Sequence, residues 1–129
     1  MKEAYPVVLT QEDKWTLVYV PDFEINTEGR DYADAMEMAR DAIGLMGITM
    51  EDDKQVLPPA SDMKAVADEH PEGLVTLVDV DFTEYRKAND MRTVRRNVSL
   101  PQWLNTQAEK SGINVSAVLQ KALKAELGI

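Results

Sequence analysis

The run Arg95-Arg96-Asn97-Val98-Ser99-Leu100-Pro101 constrains this chain more than any other stretch, because a short polar/apolar strand pattern leads directly into a residue suited to a first helical turn. On a strand, successive side chains point to opposite faces, so Arg95, Asn97 and Ser99 share a hydrogen-bonding face while Val98 and Leu100 share an apolar one. Arg96 has the parity of the apolar face, but near the strand start its long side chain can reach solvent or phosphate. Taken alone, the pattern fits an ordinary edge strand with a solvated face as well as a base-reading strand.

The residues that follow shift that balance. Trp103, Leu104, Ala108 and Ile113 give an apolar stripe on a helix starting at Pro101, and Gly112 is placed to end it. Asn114 is a strong cap for a second helix, along which Val115, Val118, Leu119, Ala122, Leu123 and Leu127 recur at helical spacing. Strand, helix and helix within residues 91–129 is the layout of a ribbon-helix-helix dimer, whose paired strands form a two-stranded ribbon that the B-DNA major groove admits. Arg forks onto guanine, Asn onto adenine, and Ser serves either, so Arg95, Asn97 and Ser99 are the expected base readers. Arg92, Arg96 and the helix start at Asn114, Val115 and Ser116 are the expected phosphate contacts. Val98, Leu100, Leu104, Val118, Leu119, Ala122 and Leu123 are the expected dimer core, with Trp103 packed against it. A tail of this size without disulfide or metal lies at the lower limit of independent folding, so it is expected to intertwine with an identical tail.

Charge divides the chain at the same point. Residues 1–90 hold 21 acidic and 8 basic side chains, net −13, whereas residues 91–129 hold 6 basic and 2 acidic, net +4. DNA repels a net negative chain, so Arg92, Arg95, Arg96, Lys110, Lys121 and Lys124 have to present locally. The acidic half suits a basic protein partner, such as a nuclease that grips phosphates, although solubility alone also accounts for it. No apolar run reaches the length of a membrane span, and the absence of cysteine excludes disulfides and thiol chemistry; a cytoplasmic protein is expected.

The acidic half reads as α+β. Ala4 to Thr10 and Trp15 to Val20 are strand-like runs at hairpin spacing, with Pro6 suggesting an edge strand and Trp15 expected to pack in the sheet. A Pro21-Asp22 turn and an extended piece from Ile25 to Glu28 follow. Asp31 is placed to cap a helix with Asp34 at the third position, Tyr32, Ala35, Ala39, Ile43 and Met46 on its apolar face, and Gly47 at its end. A short helix over Met63 to Glu69, an apolar strand over Leu74 to Phe82 and a short helix or turn over Phe82 to Asp90 complete this half.

Several short motifs, in this order, carry a family resemblance: Tyr5-Pro6, Tyr19-Val20-Pro21-Asp22-Phe23, Glu28-Gly29-Arg30-Asp31, Ala35 and Ala39, Pro58-Pro59-Ala60-Ser61, and Asn97-Val98-Ser99-Leu100-Pro101. Through them the chain resembles the HicB family of antitoxins, in the version with a ribbon-helix-helix tail. It departs from the family at Phe23-Glu24-Ile25, where members often have glycine after the Pro-Asp turn. The resemblance implies a partial RNase H-like domain over residues 1–90 that binds and occludes a small basic ribonuclease, HicA. It implies a DNA-binding domain over 91–129 that represses the operon as a homodimer, with the toxin possible as a component of a higher assembly. Asp22, Glu24, Asp31 and Asp34 are the candidate toxin contacts. The resemblance implies neither catalysis nor a cofactor nor a metal.

Two other readings fit parts of the sequence: a repressor whose acidic domain senses a small ligand, and a metal-dependent nuclease. The nuclease needs carboxylates converging on two metal ions, for which Asp79 and Asp81 on one strand face and Asp22 nearby are the available groups. His70, between Glu69 and Pro71, reads as a surface residue rather than a base.

Overall fold

A computed structural model describes all 129 residues. Strands β1 (Lys2–Glu12), β2 (Trp15–Val20), β3 (Ile25–Gly29) and β4 (Leu74–Asp81) form one antiparallel sheet in the order β3-β2-β1-β4. Helices α1 (Tyr32–Asp52), α2 (Met63–Glu69), α3 (Phe82–Asn89), α4 (Gln102–Lys110) and α5 (Val115–Leu127) make up the rest, so the fold is mixed α+β. The chain divides into two compact units, Met1–Met91 and Arg92–Ile129.

In the first unit the alternation of β1 sets the layers. Tyr5, Val7 and Leu9 point to one face and are buried with Val18 and Val20 of β2, Val78 and Val80 of β4, and Ala35, Ala39 and Ile43 of α1. α2 packs on the other face against β1 and β4, with Val66 buried and the His70 ring 5.6 Å from that of Tyr19. His70 is accordingly half-buried, with Nδ1 3.5 Å from a Glu72 carboxylate oxygen.

Several expectations about this unit need correction. Pro6 lies in an interior strand, since β1 pairs with β4 over Lys2–Leu9 and with β2 over Val8–Glu12. β2 stops opposite Val8, so one flank of β1 is free of a strand at Pro6, which is where a residue lacking an N–H is tolerated. Trp15 sits at the hairpin end, paired with Glu12 across the positive-φ turn at Asp13, and is exposed rather than packed. Tyr32 and Met46 lie outside the buried stripe of α1.

Gly47 does not end α1, which runs on to Asp52 with Gly44 and Gly47 buried inside it. A Cβ on Gly44 would come within 2.4 Å of the Tyr85 ring, and one on Gly47 within 2.1 Å of the Phe82 ring. These glycines let α3 approach the helix, and the contact outweighs their low helix propensity. Arg86 of α3 secures the far end of α1 through the Asp52 carboxylate (3.0 Å) and the Ile48 carbonyl (3.3 Å).

In the second unit the helices end where local chemistry directs. Asn114 Oδ1 accepts the Ala117 N–H at 3.0 Å and caps α5. Gly112, at φ +66°, follows α4, and the N–H groups of Gly112 and Ile113 donate to Glu109 and Ala108 carbonyls at 3.1 and 3.2 Å, closing a Schellman turn. Pro101 precedes α4 as its cap residue, so the helix starts one residue later than expected, and the Pro101 carbonyl accepts from Leu104 and Asn105. No side chain of this unit is buried.

Candidate nucleic-acid interface and partner surface

Arg95, Asn97 and Ser99 are all exposed, as are Arg92 and Arg96. The segment from Asp90 to Pro101 forms no strand in the single chain. The physical reason is general: a strand ladder requires a second strand, and the four-stranded sheet is completed by β1 to β4 alone. The expected dimer core is exposed in the same way, with Val98, Leu100, Leu104, Val118 and Leu123 open to solvent, Ala122 exposed and Leu119 half-buried. Trp103 is 68% exposed. At the start of α5, Asn114 satisfies the Ala117 N–H, which leaves the N–H groups of Val115 and Ser116 without an intrahelical acceptor. The positive end of the helix dipole is at the same place.

The four acidic residues expected to contact a protein partner fall into two groups. Asp22 and Glu24 lie in and just after the turn Pro21–Phe23, before β3, whereas Asp31 and Asp34 lie beyond its other end, so the two pairs sit at opposite ends of that five-residue strand. Asp31 and Asp34 shape the start of α1. The Asp34 N–H donates to Asp31 Oδ1 at 2.8 Å, and Asp34 Oδ2 accepts from the Arg30 N–H at 2.9 Å and from Arg30 Nε at 3.3 Å. Those bonds, the backbone one foremost, hold the Asp34 carboxyl below its ordinary value.

Asp22 anchors a loop. Its carboxylate accepts from the Ser61 N–H at 3.0 Å and from the Ser61 hydroxyl, while the Tyr5 hydroxyl donates to the Pro58 carbonyl at 3.0 Å. Tyr5 also meets Phe23 edge to face at 4.8 Å, and burial, assisted by the Glu3 and Asp22 charges, raises its phenol above the ordinary value. The loop so held makes a groove of about 440 Å³ with Phe23, Met46, Met50, Val56 and Pro58 on its walls and Asp22 and Glu24 at its rim. Nothing in the sequence singled out Met50 or Val56. Met46 carried a signal, its helical spacing, but that spacing pointed to the core.

Residues 5–122 match the HicB-like antitoxin family of bacterial toxin–antitoxin systems. The chain belongs to that family. Two solved structures resemble this HicB-like antitoxin along nearly their whole length. A toxin–antitoxin complex from Streptococcus pneumoniae matches with a TM-score of 0.63 at 22% identity, covering 98% of this chain and 99% of the other. The antitoxin HicB of Burkholderia pseudomallei matches with a TM-score of 0.56 at 23% identity, covering 97% and 96%. A comparison with curated proteins finds no match.

The carboxylates that a nuclease would require are otherwise engaged in this antitoxin. Asp79 is paired with Lys2 at 3.3 Å and Arg40 at 3.2 Å, and the hydrogen bonds from these two cations lower its carboxyl. Asp81 Oδ1 accepts the Glu84 N–H at 3.1 Å and caps α3. With Asp22 bound to Ser61, the three do not converge, and no group of three or more carboxylate or histidine side chains is placed to share a metal ion. No helix is long and apolar enough to cross a membrane.

Proposed function

We propose that this HicB-like antitoxin neutralises a small basic HicA-type ribonuclease through residues 1–90 and represses the operon through residues 91–129, which dimerise as a ribbon-helix-helix module on operator DNA. One observation carries the repressor half. The second unit buries no side chain, yet it displays eleven of the 22 large exposed apolar residues of the chain. Such a surface calls for a partner, and a second copy supplies complementary faces to both helices and a complementary edge to the strand at once. In the paired ribbon Arg95, Asn97 and Ser99 share the outward face, with Arg92, Arg96 and the Asn114-Val115-Ser116 helix start set for phosphates. The first unit, read as a partial RNase H-like domain, supplies the acidic surface that attracts a basic toxin.

Mass measurement by light scattering and gel-shift titration with the DNA upstream of the gene test the repressor half together. The reading expects a dimer that binds this DNA and loses affinity steeply with salt, the log affinity falling by about 0.9 per phosphate contact per log unit of salt. A monomer with no affinity for that DNA would remove it. Toxin neutralisation is tested by growth rescue on co-expression with the basic protein of the adjacent reading frame.

A further inference from the structure

We infer that the groove between α1 and the loop after it is the toxin's docking site, and that it takes an apolar side chain flanked by lysine or arginine. The inference rests on the toxin-neutralising reading above and adds the place and chemistry of the contact. Val56 is 89% exposed, the most exposed large apolar residue of the first unit, and stands on a loop held in place by Tyr5 and Asp22. The groove that it lines beside Met46 and Met50 continues, through shared Val56 and Pro58, into a second hollow of about 590 Å³. An apolar trough in which methionines can reshape to fit a partner is a common recognition surface.

The charge around the trough decides the partner. Its carboxylate side chains are Asp22 and Glu24 at one end and Glu3 and Glu51 at the other, with no lysine or arginine among the lining residues. Met1 also lines the second hollow, but its amino group donates to the Thr83 hydroxyl at 3.1 Å and lies 3.9 Å from Asp81. Four carboxylates around an apolar floor complement a basic segment with an apolar anchor and repel a second copy of the same acidic surface. Asp31 and Asp34 take no part, since they lie at the other end of β3 and line neither hollow.

The test uses the full-length antitoxin and the basic protein of the adjacent reading frame. Val56→Lys and Met46→Lys are expected to weaken the complex about 30-fold or more each, the loss of one interface hot spot, with unchanged melting temperature. Tyr32→Lys makes the same charge change on an exposed side chain away from the groove and should leave affinity within about twofold. Hydrogen exchange over residues 46–57 should slow when toxin is added to the wild type. Full affinity in both groove variants overturns the inference while leaving neutralisation intact. Failure of the wild type to bind overturns the neutralising reading as well. Protection of residues 46–57 before toxin is added, lost together with dimer mass in Val56→Lys, assigns the groove to a second copy instead.

Discussion

Residues 1–91 bury fourteen apolar side chains in a sheet-and-helix core, whereas residues 92–129 bury none, although both regions form well-capped helices. The difference separates two sources of order. Caps and turn glycines set where a helix starts and stops, but helices as short as α4 and α5 gain most of their stability from packing an apolar face. The first region finds that packing within itself. The second carries the apolar faces without their complement, so its folding and its association with a second copy are expected to be one event.

That contrast breaks most visibly at Leu119, the half-buried leucine of α5. Leu119→Asp places a charge in the expected dimer core, and dimer formation and DNA binding should both be lost. Light scattering should then report a monomer while the melting transition of the first region stays in place. A stable dimer in this variant would show that α5 does not form the interface.

Gly47→Ala probes the other side of the comparison. In a solvent-exposed helix the change stabilises by about 1 kcal/mol. Here the added methyl meets Phe82, and overpacking of about 1 to 3 kcal/mol should reverse the sign, lowering the denaturant midpoint of the first region and leaving the dimer mass unchanged. Phe82→Leu in the same chain should recover part of the loss.

Arg95→Ala and Asn97→Ala sharpen the reading of the exposed segment. Each should weaken operator binding by about 1 to 3 kcal/mol without moving either thermal transition, because neither side chain is part of a core. Unchanged affinity in both would withdraw them as base readers. Asn114→Ala is smaller and local: losing the bond to the Ala117 N–H should cost about 1 kcal/mol, seen as a lower dimer melting temperature at fixed concentration.

The smallest effect concerns acid. Asp34 and Asp79 are held below the ordinary carboxylate value by Arg30 and by Lys2 and Arg40, so their contribution is present above about pH 3.9, the value of an unfolded aspartate, and is lost as pH falls through the lower folded values. Melting of residues 1–91 should therefore decline below about pH 4, and the Asp34→Asn, Asp79→Asn double variant should show a shallower decline. An identical pH profile in the double variant would place the acid sensitivity elsewhere.

Features governed by neighbours along the chain were legible in the sequence. Asp31 and Asn114 cap their helices, Gly112 takes the positive φ, and the two hairpin strands, the extended piece after them and the Leu74 strand form where their β-rich and apolar runs lie. Features governed by distant residues were not. Gly47 carried the local signature of a helix end, but Phe82, far along the chain, packs where its side chain would be. Pro6 carried the signature of an edge, but β4 closes on β1 from beyond two helices.

The candidate sites divide along the same line. The polar parity of Arg95, Asn97 and Ser99 is an expectation from sequence alone, since the segment forms no strand in the single chain. The groove at Val56 depends on the Tyr5 bond to Pro58 and the Asp22 bonds to Ser61, which join segments more than thirty residues apart. By itself, then, the sequence determined the caps, the charge asymmetry and the family, all of which are written in short-range patterns and composition. Only the tertiary structure decided that α1 continues through two glycines, that Asp22 and Glu24 sit apart from Asp31 and Asp34, and that Met46, Met50 and Val56 line one groove. These outcomes turn on which surfaces meet when the chain closes on itself, and pairwise packing between remote segments leaves no periodicity from which it could be read.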